Sequence, residues 1–525
     1  MRYSFFTLIA AAALAVLPAS AQNLNPQVQV TNDYKARLGL QGKQGLELEI
    51  PDSLRSFRSS VDYNVIATPY TGAYEFSPYE IAVTPQKAAS QFSQFYLRAG
   101  AGYSLRPMLK AVYSPLHTES HTISIYQDLG GYAGNYRSLD ARGDIRGYDF
   151  LENAGVEGRI HAMNFSYGYG VDYKGLFNDG RNASDTFHNI TVNGGIRSDV
   201  DARIEFAAGL AVNEALASDV NQTGIRASGF FKPVWDFPFD IRVDASLDAA
   251  FYSDIFDPTF VALISPKALF EWDIIKLEAG VALSPASDIQ WLFPDAKITA
   301  DFVDQSLQAY AYAKGGQFAK TYSDLKLSEH WFSSLYTDKL AASMERLNAG
   351  LGVRGSISGN VQYDLCGGFA TYSDMPLYTL TGTSSAMEYG IKYDDYSNWY
   401  ADLALAWKTP RWDADATFHY RYTDIELDNA GLLDLPQFAA CAKIRRNWNS
   451  RIFAGISAEY QSKRDSALFP VDGFVNLGLE GEYRLNSYLS AWAKFGNLLN
   501  QKIAVSPLHI EDGIFFTAGI CLNLR

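Results

Sequence analysis

The stretch FDIRVDASLDAAFY, residues 239–252, decides how this chain is read. One set of alternate positions holds Phe239, Ile241, Val243, Ala245, Leu247, Ala249 and Phe251. The other holds Asp240, Arg242, Asp244, Ser246, Asp248, Ala250 and Tyr252. This is a period of two, the side-chain period of a strand. A helix would scatter these aspartates around its circumference. Globular strands average about 5–6 residues, so this one is long. Twelve steps at about 3.3 Å give roughly 40 Å along the strand. A tilt near 45° projects that to about 28 Å, close to the ~25 Å apolar band of an outer-membrane barrel. The apolar face begins and ends on an aromatic, as a strand anchored at two membrane interfaces should.

The pattern recurs. Trp399, Ala401, Leu403, Leu405 and Trp407 alternate with Tyr400, Asp402, Ala404, Ala406 and Lys408. A Thr409-Pro410-Arg411 turn follows. Then Trp412, Ala414, Ala416, Phe418, Tyr420 and Tyr422 alternate with Asp413, Asp415, Thr417, His419 and Arg421. The last segment sets Phe516, Ala518, Ile520, Leu522 and Leu524 against Thr517, Gly519, Cys521, Asn523 and Arg525. About 20–22 such segments fill residues 92–525, at the spacing of a membrane strand plus a connection. The expected fold is an all-β, transmembrane antiparallel β-barrel. Short turns at 358–360 and 485–487 should lie at one end. Longer connections at 135–149, 321–345, 374–386 and 424–436 should lie at the other, with a short helix over 333–345. A secreted β-sandwich array or β-solenoid would also alternate, but with shorter strands, and no fixed-period repeat occurs.

Composition agrees. The chain has 525 residues, with 44 Lys+Arg against 58 Asp+Glu, a net charge of −14. Charged residues are 19%, below the roughly 25% of soluble domains. Aromatics at 14% exclude a disordered chain. The acidic balance argues against nucleic-acid binding, which rests on clustered Lys and Arg. Beyond residue 21 no apolar run approaches the ~18 residues of a spanning helix.

Residues 1–21 read as a secretory signal: Arg2, an apolar core from Phe5 to Leu17, and the small-residue site Ala19-Ser20-Ala21. Cleavage near Ala21 and delivery to the outer membrane of a diderm bacterium are expected. Residues 22–91 carry Pro26, Pro51, Pro69, Pro78 and Pro85 and lack long alternation. Proline is excluded from central strands, so this is a short non-barrel segment on the periplasmic side or inside the lumen. Cys366, Cys441 and Cys521 are isolated and odd in number, which excludes a disulfide framework.

The C-terminal fifty residues resemble the end of a TonB-dependent receptor barrel. The motifs are Lys494-Phe495-Gly496-Asn497-Leu498-Leu499-Asn500-Gln501 and the glycine-led Asp512-Gly513-Ile514-Phe515-Phe516-Thr517-Ala518-Gly519, with Tyr483-Arg484-Leu485-Asn486 closing an earlier strand. The resemblance implies 22 strands. Family receptors place a plug of well over a hundred residues before the barrel; here about seventy precede it. A coupling box would reduce to Val28-Gln29-Val30-Thr31, which sets TonB coupling in doubt. The resemblance therefore implies a plugless variant, and such barrels serve as subunits of larger outer-membrane assemblies.

Candidate site residues follow from the register. Asp240, Arg242, Asp244, Asp248, Asp402, Lys408, Asp413, Asp415, His419 and Arg421 should face the lumen, where polar side chains are the rule. Mixed signs favour cross-strand ion pairs over one cation-selective field. In the 321–345 connection, Tyr322, His330, Trp331, Phe332 and Tyr336 are candidates for self-packing above the barrel or for a ligand or partner surface. No GxSxG or HExxH motif occurs. His117 and His121 match no metal spacing, and no cofactor is expected. The expected function is non-enzymatic: a subunit of an outer-membrane complex for transport or protein assembly, with outer-membrane lipid and one or more outer-membrane or periplasmic proteins as partners. A stand-alone gated channel or receptor for solute uptake is the alternative, and a barrel hydrolase the remote one.

Overall fold

A computed structural model describes residues 94–525. Residues 104–105, 118–120, 138–143, 161–164, 180–184, 199–203, 234–236, 254, 288–289, 304–305, 330, 358, 384–385, 426–430, 433–435, 465–470, 507–508, 512 and 525 fall outside that description. The signal and the 22–91 segment lie outside it too.

Alternation along the chain becomes a single sheet of 26 strands. Four short ones, Phe332–Thr337, Gly431–Leu432, Ile503–Ser506 and His509–Glu511, stand outside the ring. The other 22 follow one another in chain order, each antiparallel to its neighbours. The last, Phe515–Leu524, pairs with the first, Phe95–Gly102, in the register Phe95↔Leu524. The ring is therefore closed, with no unpaired edge to expose backbone groups to lipid. At this seam the chains approach closely: a Cβ on Gly519 would sit 1.9 Å from the Ala99 carbonyl oxygen.

Twenty-two strands is even, so the start at Phe95 and the end at Leu524 share one end of the barrel. That end carries the tight turns, including Trp272–Ile275, where Asp273 adopts φ 44°, and the turn before Val361, where Gly359 adopts φ 69°. The opposite end carries longer connections, such as 253–258, 320–341 and 497–514.

The outward face is apolar and solvent-accessible, as a lipid-facing surface must be. Along one strand Ile241 is 37% and Phe251 50% exposed, on the face without the aspartates. Exposed aromatics form two belts. Trp272, Trp407, Trp448 and Tyr483 mark the tight-turn end, and Phe251, Phe260, Trp399, Tyr422 and Tyr460 the other. From Trp399 to Trp407 is about 26 Å along the strand, which a tilt near 45° projects to about 19 Å, within the ~25 Å apolar band of an outer-membrane barrel.

Three expectations need correction. The 374–386 connection is mostly strand: Val361–Thr383 and Ala386–Lys408 form one hairpin of two 23-residue strands. Likewise much of 135–149 is strand, since His121–Arg137 and Asp144–Ile160 pair along their length. Polar residues there continue the ladder above the membrane, where alternation is no longer required. Finally, the helix is Tyr322–Ser328, not 333–345. Thr321 caps it by accepting from the Asp324 amide, while Asp324 accepts from the Thr321 amide. That reciprocal capping box fixes the helix start. Residues 333–345 are instead drawn into β pairing, within Phe332–Thr337 and Ala342–Ile357.

Candidate functional site

The 320–341 connection does not extend away from the barrel. Tyr322, Leu325, Trp331, Phe332 and Leu340 of this connection form a buried cluster with two sets of residues on barrel strands or the connections beside them. One set is Leu176, Phe187, Ala215, Val220 and Phe256; the other is Tyr378, Tyr389 and Ile391. These sets belong to strands well separated around the ring. A single cluster can touch both only from inside it. The connection therefore folds inward at the long-connection mouth.

Its apolar anchoring is deep. Tyr322, Phe332 and Tyr389 are fully buried. Rings step across the cluster from Phe187 to Tyr322, Phe332, Tyr378 and Tyr389 at centroid separations of 5.5–6.4 Å. Burying one such aromatic is worth about 1.5–3 kcal/mol. Phe332–Thr337 runs parallel to Ala386–Lys408, pairing Phe332 with Tyr389 and Thr337 with Ile391. Gly390 permits this approach, because a Cβ there would meet the Tyr336 carbonyl oxygen at 2.2 Å.

Polar anchoring is equally specific. Asp219 accepts from Tyr322 Oη at 2.7 Å, from Ser334 Oγ at 2.6 Å and from the Ser334 amide at 3.2 Å. Burial opposes ionisation of this carboxyl. The donors Ser334 and Tyr322, with the charge of Lys326, overcome it and hold Asp219 below the usual carboxylate range. Gln222 closes a reciprocal pair with Ser323, accepting from its amide at 2.9 Å and donating to its Oγ at 3.0 Å. Lys326 Nζ donates to the Phe332 carbonyl at 2.8 Å, and Tyr378 Oη to the Leu325 carbonyl at 3.1 Å. Arg226 donates to Asp248 at 3.0 Å and to Asp324 at 2.6 Å. Burial pushes Lys320, just before the helix, down to about 8, with Asp324 opposing the shift and Arg226 adding to it.

Against the helix lies a polar cavity of about 420 Å³. Asp172, Lys174, Asn189, Asn213, Arg226 and Asp248 line it, with Ser323 and Asp324 from the connection. Amides and both signs of charge are within one enclosure, suited to a polar solute rather than an apolar one.

The sequence-derived candidates fall in three places. Asp240, Arg242, Asp244 and Asp248 share the helix-side face of one strand. Lys232 lies 3.4 Å from Asp240, Arg242 donates to Asp244 at 2.7 Å, and Lys267 bridges Asp244 and Asp295 at 3.1 and 2.9 Å. Only Asp248 of these reaches the helix, through Arg226. Asp402 and His419 meet across a strand pair, His419 Nδ1 to Asp402 Oδ1, at 2.8 Å. Lys408 and Asp413 are register partners, as are Asp415 and Lys443, and Arg421 pairs with Tyr400. Of the aromatic candidates, Tyr322, Trp331 and Phe332 are in the buried cluster, while Tyr336 is 41% exposed. His330 lies outside the described residues. Among the described residues no group of three or more His, Cys, Asp or Glu could hold a metal.

Sequence reasoning missed Arg226, Asp219 and Gln222, which do most of the anchoring. It also missed a second network, in which Tyr400 donates to Asn348 at 2.7 Å, and Asn348 at 2.7 Å and Tyr372 at 3.2 Å donate to Glu345. The one local signal available was the Thr321-x-x-Asp324 spacing.

No protein-family profile and no curated relative matches the sequence. Solved structures do. The FrpB iron transporter from Neisseria meningitidis is similar with a TM-score of 0.61 at 10% identity, covering 82% of both chains. The ferric enterobactin receptor PfeA from Pseudomonas aeruginosa gives 0.58 at 11%, covering 82% of this chain and 80% of that one. The copper transporter OprC gives 0.57 at 12%, with the same coverage. At these identities the likeness is one of fold: this chain has the barrel of outer-membrane receptors and transporters.

Proposed function

We propose that the protein is a non-enzymatic, receptor-type outer-membrane barrel for transport of a small polar solute, narrowed at its outer mouth by the inward-folded 320–341 connection. The observation that carries this reading is the connection itself, buried at Tyr322 and Phe332 and held by Asp219, Gln222 and Arg226. A connection anchored this firmly is a fixed constriction. Its polar flank, with Lys174 and Arg226 facing Asp172, Asp248 and Asp324, would select solutes by size and charge. Asp240, Arg242 and Asp244 lie on the same strand face as Asp248, and Asp402 with His419 lies on a separate strand pair. The similar barrels are named for copper, iron and ferric enterobactin, which supports an uptake role.

Conductance of the full-length protein in planar bilayers tests it. The wild type should conduct weakly, and Tyr322→Ala, which removes the largest buried anchor, should conduct several-fold more. Equal conductance would reject a constriction at this place.

A second reading is that the barrel is a subunit of a larger outer-membrane complex. The same deep anchoring favours it, because a core-like connection is no hinge. Extraction in mild detergent through a tag placed after Ala21 separates the two. A stoichiometric partner supports the subunit; a lone barrel supports the channel.

A further inference from the structure

On the lipid-facing side, near the tight-turn end, the sheet has a depression of about 400 Å³ with almost wholly apolar walls. Its origin is legible in the register. Ala416, Ala442 and Ala458 are direct partners across three neighbouring strands, a row of side chains one carbon deep. Ala414 adds a fourth. Leu405, Trp407, Ile444 and Ile456 stand up around them, each more than a third exposed. The result is a shallow trough crossing three neighbouring strands, walled by these larger side chains.

Arg446 lies at the tight-turn end of this trough. It follows Ile444 on the same face and is the register partner of Trp412. Its guanidinium carbon lies 4.9 Å from the Trp412 ring centroid and 4.8 Å from that of Trp448. Trp407 stacks on Trp412 at 6.3 Å, so the aromatic rim is continuous with the trough. Among the described residues Arg446 makes no ion pair, and its Nε is buried without a hydrogen-bond partner. A cation at the aromatic belt, lacking a carboxylate and held in place by two indoles, lacks only an anion. From the Ala442 row to Arg446 is four residues, about 13 Å along the strand.

We propose that this is a specific site for a glycerophospholipid of the inner leaflet, with its phosphate on Arg446 and one acyl chain in the alanine trough. The tight-turn end of such barrels faces the periplasm, which places Arg446 at the depth of inner-leaflet headgroups. The cation–aromatic shelf supplies charge complementarity, and the trough supplies a chain-width apolar seat. Neither depends on what passes through the barrel.

The test is native mass spectrometry of the full-length protein, delipidated in neutral detergent and titrated with phosphatidylglycerol. Wild-type protein should retain one tightly bound lipid. Arg446→Ala should weaken retention about tenfold, the scale of one charge-assisted hydrogen bond. Ala442→Trp, which fills the trough and keeps Arg446, should weaken it similarly. Leu351→Trp, which enlarges a lipid-facing side chain elsewhere, should retain lipid like the wild type. Equal retention by wild type, Arg446→Ala and Ala442→Trp would overturn the site. So would equal binding of diacylglycerol, which lacks the phosphate, or stronger binding of lipid A than of phosphatidylglycerol.

Discussion

The guanidinium of Arg226, on a barrel strand, donates to the carboxylate of Asp324, in the inward-folded helix, at 2.6 Å. The same side chain holds Asp248 of the next strand. One arginine thus ties the connection to the wall, and Asp324 also closes the capping box. Asp324→Ala removes both contacts. The ion pair is partly exposed and is worth at most about 1 kcal/mol, and the cap is worth about 1 kcal/mol more. Backbone amides of the helix should exchange with deuterium about tenfold faster or more, with exchange of the barrel strands unchanged.

Tyr322 separates packing from hydrogen bonding. Tyr322→Phe keeps the ring but leaves Asp219 without one donor, which costs about 1.5–3 kcal/mol for a bond to a charged group. Tyr322→Ala empties a fully buried site and costs about 3–5 kcal/mol. Conductance should therefore rise in the order wild type, Tyr322→Phe, Tyr322→Ala. A Phe variant as open as the Ala variant would mean that the Asp219 contact, not the ring, holds the connection.

Docking of the connection should depend on pH through Asp219. Its folded carboxyl is held below the ordinary value, so the native state binds the proton less readily than the undocked one. That stabilisation is fully present above the ordinary carboxylate pKa and is lost as pH falls through the lowered value. Conductance should stay low from neutral to mildly acidic pH and rise only in stronger acid. Asp219→Asn should remove the acid transition and conduct more already at neutral pH.

Lys320 gives a dependence of the same sign at higher pH. Its folded value of about 8 lies below the ordinary lysine value, so the docked connection favours the neutral amine. Between about pH 8 and the ordinary lysine pKa, the undocked state holds more protons, and docking strengthens as pH rises. Helix amide protection, corrected for intrinsic exchange, should increase over that range in the wild type and stay flat in Lys320→Met.

Strand orientation is testable at two adjacent positions. Nitroxides on Ala245→Cys and Ser246→Cys should report opposite environments in liposomes. The first should be open to oxygen and the second to a water-soluble nickel chelate. Similar accessibility at both would contradict the period-two assignment.

What could be read from the sequence was whatever lipid imposes. Strands crossing the bilayer must alternate, so Phe239, Ile241 and Val243 announced their face, and Trp407 and Trp412 announced an interface. Above the membrane that constraint lapses. The 374–386 stretch carries strand pairing with no alternation to mark it, and so resembles a loop. The mouth was legible in part: Tyr322, Trp331 and Phe332 stood out as aromatics. Their docking partners did not, because Asp219, Gln222 and Arg226 are about a hundred residues earlier in the chain and meet the helix only when the ring closes. Thr321 and Asp324 carry a local capping signal, and it sets the helix start at Tyr322, ahead of the 333–345 span that was expected.

The seam between Phe95–Gly102 and Phe515–Leu524 has a consequence for how the molecule forms. Its two halves are the first and last strands of the described chain, so the final pairing waits for Phe515–Leu524 to be made. Until then the growing sheet has two open edges, each a row of unpaired amides and carbonyls that lipid cannot satisfy. Loop-closure entropy adds only slowly with chain length, so distance alone does not forbid the pairing. The larger difficulty is protecting those edges while the chain waits. Biogenesis is accordingly all-or-none: a chain lacking its last ten residues would not make a slightly weaker barrel, but an open sheet prone to pair with its neighbours.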